Sequence, residues 1–160
     1  MASASATTCP HGLLWSGDQR VSAHLTLNME AHLDEIERIQ AAVKILSQAE
    51  SWPPELLFQI ELVLEEIGTN IIKYGQDGER ETDIDITLTS DRKSLTLEIV
   101  DNGKPFDPFA DAPPPDLDSA VPERPIGGLG VYLVQELMDE ASYRHEDGKN
   151  KVTLVKHKSL

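Results

Sequence analysis

The stretch from Pro54 to Tyr74 constrains the fold more than any other part of the chain. Its apolar residues recur every three or four positions, which predicts an amphipathic helix. This stripe consists of Leu56, Ile60, Val63, Ile67, Ile71 and Tyr74. Pro53 and Pro54 suit the first turn, and Gly75 marks the end. Because such a helix must bury its stripe against a second layer, the rest of the chain has to supply that surface.

The segments on either side of this helix supply the second layer. Residues 21 to 27 alternate apolar with polar side chains, which predicts a strand, and an amphipathic helix is predicted from Met29 to Leu46 behind an Asn28 cap. Two hairpins and a third helix follow, with strands at 84–88, 95–99, 143–145 and 152–155 and the helix from Gly127 to about Glu140. This order predicts an α/β (α+β) two-layer sandwich, a mostly antiparallel mixed sheet with three helices on one face.

Length and composition favour one domain. The chain has 160 residues, of which 39% are hydrophobic, enough for a single sizeable core. Residues 1–19 lack periodicity and are predicted to form a flexible tail before a domain spanning 20–160. The segment 105–126, rich in Pro and Asp, is long for a connection and is predicted to be a lid or binding loop.

The charge of the chain excludes some classes of partner. A formal net charge of -14 disfavours binding to nucleic acid or to an anionic membrane and would attract a basic protein. No apolar run approaches the roughly 20 residues of a membrane helix, and no signal peptide is evident, so a cytoplasmic location is expected. Cys9 and His11 are too few for a zinc site.

Three polar residues of the long helix are candidates for chemistry. Glu66, Asn70 and Lys73 fall at i, i+4 and i+7, so they share a stripe beside the apolar one. A carboxylate can accept a proton, an amide oxygen suits magnesium, and a lysine can pair with phosphate. The stripe alone is more typical of an ordinary solvated helix surface than of a functional site.

Asp101 is the second candidate because it ends an alternating strand and precedes Asn102 and Gly103, a pair that turns the chain. An ionised Asp only accepts hydrogen bonds, so it would select a flat ring with an amino group, such as adenine, over guanine. An ordinary turn aspartate is an equally good interpretation of this residue on its own.

The third candidate is a glycine-rich segment directly before the third helix. Gly127, Gly128 and Gly130 would let backbone N–H groups approach an anion at the positive end of the helix dipole, as a triphosphate requires. No Lys followed by Ser or Thr comes after these glycines, so the segment is not a Walker loop.

The order of these three motifs resembles the Bergerat-fold (GHKL) ATPases, the superfamily of gyrase and the histidine kinases. "EEIGTN" with Lys73 resembles the N box, "DNGKPFD" the first glycine box and "GGLGVYLVQELMDE" the second. Within the superfamily, the short chain and the second box look most like the anti-sigma-factor serine kinases of bacterial partner switching.

This resemblance implies a role for each motif residue. Asn70 would hold magnesium, and Glu66 would act as base toward a substrate serine. Asp101 would bind adenine with Gly103 allowing close approach, and Gly127, Gly128 and Gly130 would receive the phosphates of ATP. Lys73 and Arg124 are expected near phosphate, although an arginine in a lid could equally touch a protein partner. Thr153 on the last strand is expected on the adenine side.

The function implied is an ATP-dependent serine/threonine protein kinase and anti-sigma regulatory factor that phosphorylates a small antagonist protein. A sigma factor is a further expected partner, and the exposed sheet face or the first helix are candidate surfaces for a homodimer. The alternative is a nucleotide-gated binding module without phosphotransfer. A histidine kinase that uses His32, or a bare ATPase of the gyrase type, is disfavoured because the chain lacks room for the extra segments that they need.

Overall fold

A computed structural model describes residues 22–76, 78, 81–111 and 129–158. It contains five strands and three helices within these ranges. In chain order they are β1 (Ala23–Glu30), α1 (Leu33–Ala49), α2 (Pro54–Tyr74), β2 (Asp83–Ser90), β3 (Ser94–Asp101), α3 (Leu129–Leu137), β4 (Glu140–Glu146) and β5 (Lys149–His157). The predicted tail and most of the predicted lid, with Arg124, Gly127 and Gly128, lie outside the described residues.

The strands form one sheet in the order β1-β2-β3-β5-β4, and all four pairings are antiparallel. One face of this sheet packs against the helices. Alternate strand residues such as Ile86, Leu97 and Leu154 join Val63 and Val134 of the helices in one buried core. Their neighbours along each strand face the other way and are mostly polar. The predicted two-layer fold is therefore confirmed.

The first strand is longer than predicted. Met29 is buried in β1 opposite Ile84, and the Asn28 side chain donates to Asp85 Oδ1 at 2.7 Å, so it does not cap a helix. Helix α1 starts at Leu33, after His32, which makes no side-chain capping bond. The prediction was wrong here because Met29 fits both the strand period and the helix period, and pairing with β2 decides between them.

The third helix is shorter than predicted. It ends at Leu137, and the Asp139 backbone N–H already donates to Val155 O at 2.9 Å. Strand β4 then begins at Glu140. Among the residues described, none of the helices combines the length and apolar character that crossing a membrane requires.

A buried aspartate organises the turn between β2 and β3. Asp91 Oδ1 accepts hydrogen bonds from the backbone N–H groups of Lys93 and Ser94, both at 2.7 Å, and Oδ2 accepts the Ser94 hydroxyl at 3.1 Å. Burial on its own would raise the pKa of Asp91, but these bonds and the nearby Lys158 charge outweigh it and lower the pKa. The turn is thus stabilised by an ionised carboxylate.

Candidate nucleotide-binding site

A small cavity lies between the C-terminal half of α2, the end of β3 and the start of β5. It is a narrow crevice with a volume of only about 10 Å³, and its polar lining comes from Asn70, Asp101 and Asn150. Ile71 and Phe106 are among its apolar walls. An apolar slot with a few convergent polar groups is the usual form of a small-molecule site. This crevice is far smaller than the usual range of about 300–1,000 Å³, so a ligand the size of a nucleotide requires its walls to move apart.

Asp101 is the buried acid of this cavity, with 3% of its surface exposed. Its Oδ1 accepts the Gly103 N–H at 2.9 Å and the Asn150 amide at 2.9 Å. Its Oδ2 takes no hydrogen bond from the part of the chain that the structure describes. Burial raises the pKa of Asp101, while the bonds from Asn150 and Gly103 and the nearby His145 act against that increase. Asp101 therefore retains one oxygen as an acceptor for a ligand.

Gly103 allows a close approach of two backbone segments, namely the turn after β3 and the end of α2. A Cβ at Gly103 would lie 2.3 Å from Gly75 O, and the Lys104 N–H donates to the same oxygen at 3.0 Å. The end of α2 is thereby held against the turn after β3. This contact sets the distance between the Asn70 side of the cavity and the Asp101 side.

The three polar residues of α2 differ in their surroundings. Asn70 lines the cavity, whereas Lys73 is exposed. Glu66 lies one turn before Asn70 and packs against the start of α3, where a Cβ at Gly130 would lie 1.7 Å from Glu66 Oε2. Partial burial raises the pKa of Glu66, the neighbouring Glu65 charge raises it further, and Lys73 opposes both. The N box and the second glycine box thus meet at the Glu66 carboxylate.

The structure does not bring Thr153 to this cavity. Thr153 pairs with Glu98 of β3 and Ser142 of β4, on the face of the sheet opposite to the helices. The residue of β5 that pairs with Asp101 is Asn150, which lies between the predicted strands 143–145 and 152–155. The strand alternation contained this information, because Val152 and Leu154 are apolar and so direct Thr153 outward.

An aromatic pair flanks the cavity. The rings of Tyr74, at the end of α2, and Phe106, after β3, stack with centroids 5.4 Å apart and an interplanar angle of 25°. Offset aromatic stacking of this kind adds to the stability gained from burial. The pair gives a second connection between α2 and the first glycine box.

Comparison with known protein families shows which family this chain belongs to. Residues 29–156 match the model of the histidine kinase-like ATPase domain. The chain belongs to this ATPase domain family. The matched region contains Glu66, Asn70, Asp101 and Gly130, so the family assignment covers all the motifs around the cavity.

Named relatives of this ATPase domain include serine kinases. Serine/threonine-protein kinase BtrW of Bordetella bronchiseptica is 34% identical over 109 residues, which cover 66% of this chain and 74% of BtrW. Serine-protein kinase RsbW of Listeria monocytogenes is 23% identical over 127 residues, 78% of this chain and 81% of RsbW. These names agree with the predicted serine-kinase branch.

A solved structure supports the fold. The crystal structure of the RsbU and RsbW domains of a Mycobacterium tuberculosis protein superimposes with a TM-score of 0.61 at 13% sequence identity. The match covers 84% of this chain and 32% of that longer chain. At this identity the similarity concerns the arrangement of strands and helices alone.

Proposed function

We propose that this protein is an ATP-dependent serine/threonine protein kinase that phosphorylates a serine of a small antagonist protein in a partner-switching pathway. The contact between Glu66 and Gly130 carries the proposal, because it places a carboxylate beside the start of α3 and outside the cavity that contains Asp101. The ATPase domain family and the relatives named serine kinases support the same reaction class.

The residues of the cavity suit ATP. Asp101 offers an acceptor for the amino group of adenine, and Ile71 and Phe106 offer apolar surface to its ring. Glu66 precedes Gly75 by nine residues of α2, so the two lie about 13 Å apart along the helix axis. This separation is comparable with the distance from base to terminal phosphate in an extended nucleotide. Glu66 would therefore lie at the phosphate end.

The donor set also suits magnesium bound together with the nucleotide. Asn70 supplies an amide oxygen at the cavity, and the described residues contain no group of three His, Cys, Asp or Glu side chains that could hold a metal by themselves. Mg²⁺ typically takes one or two protein oxygens and completes its shell with phosphates and water. When bound, it would neutralise charge on the transferred phosphoryl group.

In the proposed reaction the serine Oγ of the antagonist attacks the terminal phosphorus of ATP. The new Oγ–P bond forms as the bond from that phosphorus to the bridging oxygen breaks, ADP leaves, and the serine proton passes to Glu66. Positioning and charge neutralisation account for most of the rate in phosphoryl transfer, and a general base adds about 10²- to 10⁴-fold. Lys73, Arg124 and the backbone of Gly127, Gly128 and Gly130 are the proposed phosphate contacts.

The test is Glu66→Gln, compared with Glu65→Gln. The first variant is expected to bind ATP with unchanged affinity and to lose transfer by about 10²-fold or more, because the amide cannot accept the proton. Glu65 is the exposed neighbour, so its substitution is expected to leave transfer within about twofold of wild type. Intact mass of a candidate antagonist after incubation with magnesium and ATP measures the transfer. Equal activity in Glu66→Gln would remove Glu66 from the mechanism.

The pH profile gives a second test of the same residue. A base must be ionised, so transfer falls as the pH decreases through the pKa of Glu66. Because that pKa is raised above the ordinary 4.5, the loss is expected to begin at a higher pH than for an exposed glutamate. Absence of transfer at every pH, with ATP still bound and the affinity for a partner dependent on nucleotide, would favour the binding module.

A further inference from the structure

Asn150 is a buried amide that joins Asp101 to three other parts of the site. It is 3% exposed, and its Nδ2 donates to Asp101 Oδ1 at 2.9 Å, to Lys104 O at 2.8 Å and, more weakly, to Gly103 O at 3.5 Å. Its Oδ1 accepts from the Tyr143 hydroxyl at 2.7 Å, from His145 Nδ1 at 3.1 Å and from Phe106 N–H at 3.4 Å.

These partners allow only one orientation of the amide. All groups beside Nδ2 are acceptors, namely one carboxylate oxygen and two backbone carbonyls. The Tyr143 hydroxyl and the Phe106 N–H beside Oδ1 donate, and the His145 ring nitrogen donates in its Nδ1–H form. A flipped amide would place its oxygen against three oxygens and turn its own donors toward the donors of Tyr143 and Phe106, which is costly.

The fixed amide in turn fixes the carboxylate. Asp101 Oδ1 is held from two sides, by Asn150 and by the Gly103 N–H, so the carboxylate cannot rotate without breaking a buried hydrogen bond. We propose that Asn150 is a positioning residue for base recognition, which leaves Asp101 Oδ2 facing the cavity so that the site selects a purine with an amino group at position 6. This inference rests on the proposed binding of ATP.

The charges around the pair support the proposal. Burial raises the pKa of Asp101, and the hydrogen bond from Asn150 is the largest effect that opposes this increase. An ionised carboxylate offers acceptors only and so selects an amino group, whereas the protonated form also carries a donor and would accommodate an oxygen at position 6 as well. Asn150 therefore supports the charge state as well as the direction of Asp101.

The first test is Asn150→Asp, which keeps the size of the side chain and replaces the donor by a carboxylate. Two carboxylates in this position would share a proton, as close acid pairs do. The probes are ATP and inosine triphosphate, which has oxygen in place of the amino group at position 6, with titration calorimetry as the assay. Wild type is expected to prefer ATP by about 10-fold or more, and the variant is expected to lose most of that preference.

A milder variant, Tyr143→Phe, and a charge control, Ser142→Asp, accompany Asn150→Asp. Tyr143→Phe removes one donor to Asn150 Oδ1 and is expected to weaken ATP by about 2- to 10-fold with little change for inosine triphosphate. Ser142→Asp adds the same charge on the exposed face of β4 and is expected to leave both affinities unchanged. If Asn150→Asp fails to fold, Tyr143→Phe decides.

The outcomes separate the two proposals. If wild type binds neither nucleotide, the proposed function is wrong. If wild type prefers ATP and the variants of Asn150 and Tyr143 weaken both nucleotides by the same factor, Asn150 is only structural and the inference is overturned. A loss confined to ATP, absent in Ser142→Asp, is the expected result.

Discussion

The substitution Gly103→Ala is expected to destabilise the protein because Gly103 packs backbone against backbone. An added Cβ would lie 2.3 Å from Gly75 O, 3.0 Å from Gly75 C and 2.9 Å from Asp101 Oδ1, whereas ordinary contacts begin near 3.4 Å. The closest atom belongs to the end of α2 and cannot rotate away as a side chain would. The two segments must therefore separate by roughly 1 Å, the difference between the built and the ordinary contact distance.

The cost of that separation has two parts. Overpacking of a buried contact typically costs about 1–3 kcal/mol, and the Lys104 N–H···O=C bond to Gly75, now 3.0 Å, contributes about 1 kcal/mol. The free energy of unfolding should thus fall by about 2–4 kcal/mol. For a chain of this length, each kcal/mol corresponds to about 2–4 °C, so the Tm should fall by roughly 5–15 °C.

Gly68→Ala is the matched control. Gly68 lies inside α2, and its added Cβ would be 3.6 Å from Ile36 Cδ1, an ordinary contact. Alanine is favoured over glycine in a helix by about 1 kcal/mol, so the Tm should stay the same or rise by a few degrees. Calorimetry and urea titration of both variants measure the difference. A Tm for Gly103→Ala within about 2 °C of wild type, or an equal decrease in both variants, would refute the reasoning.

Two further substitutions test the site and the turn between β2 and β3. Gly130→Ala would place a Cβ 1.7 Å from Glu66 Oε2, so the flexible carboxylate must move. Phosphoryl transfer should therefore fall about 10²-fold while the Tm stays nearly unchanged. Full transfer in this variant would contradict the contact between Gly130 and Glu66. Asp91→Ala should lower the free energy of unfolding by about 1–3 kcal/mol at pH 7. Because the pKa of Asp91 is lowered in the folded state, its contribution is present above the unfolded pKa and is lost as the pH falls through the folded pKa. Urea titrations should therefore converge in acid, and a difference independent of pH would assign the effect to packing.

The sequence was sufficient for features that depend on near neighbours. The apolar stripe of α2 and the alternation of β2, β3 and β5 repeat within a few residues, so their periods were visible in the chain. The same periods placed Glu66 and Asn70 on one face of a helix and Asp101 at the end of a strand. The order of the motifs then indicated the ATPase domain family that the comparisons confirm.

Tertiary structure decided the features that depend on residues far apart in the chain. Met29 belongs to β1 because it pairs with Ile84, and neither residue shows this by itself. Asn150 meets Asp101 across 49 positions, through a strand register that packing of the whole sheet sets. The contact of Gly130 with Glu66 likewise needs α3 to be placed on α2. Local periods determine which face a side chain takes, whereas only the packed core determines which distant residue that face meets.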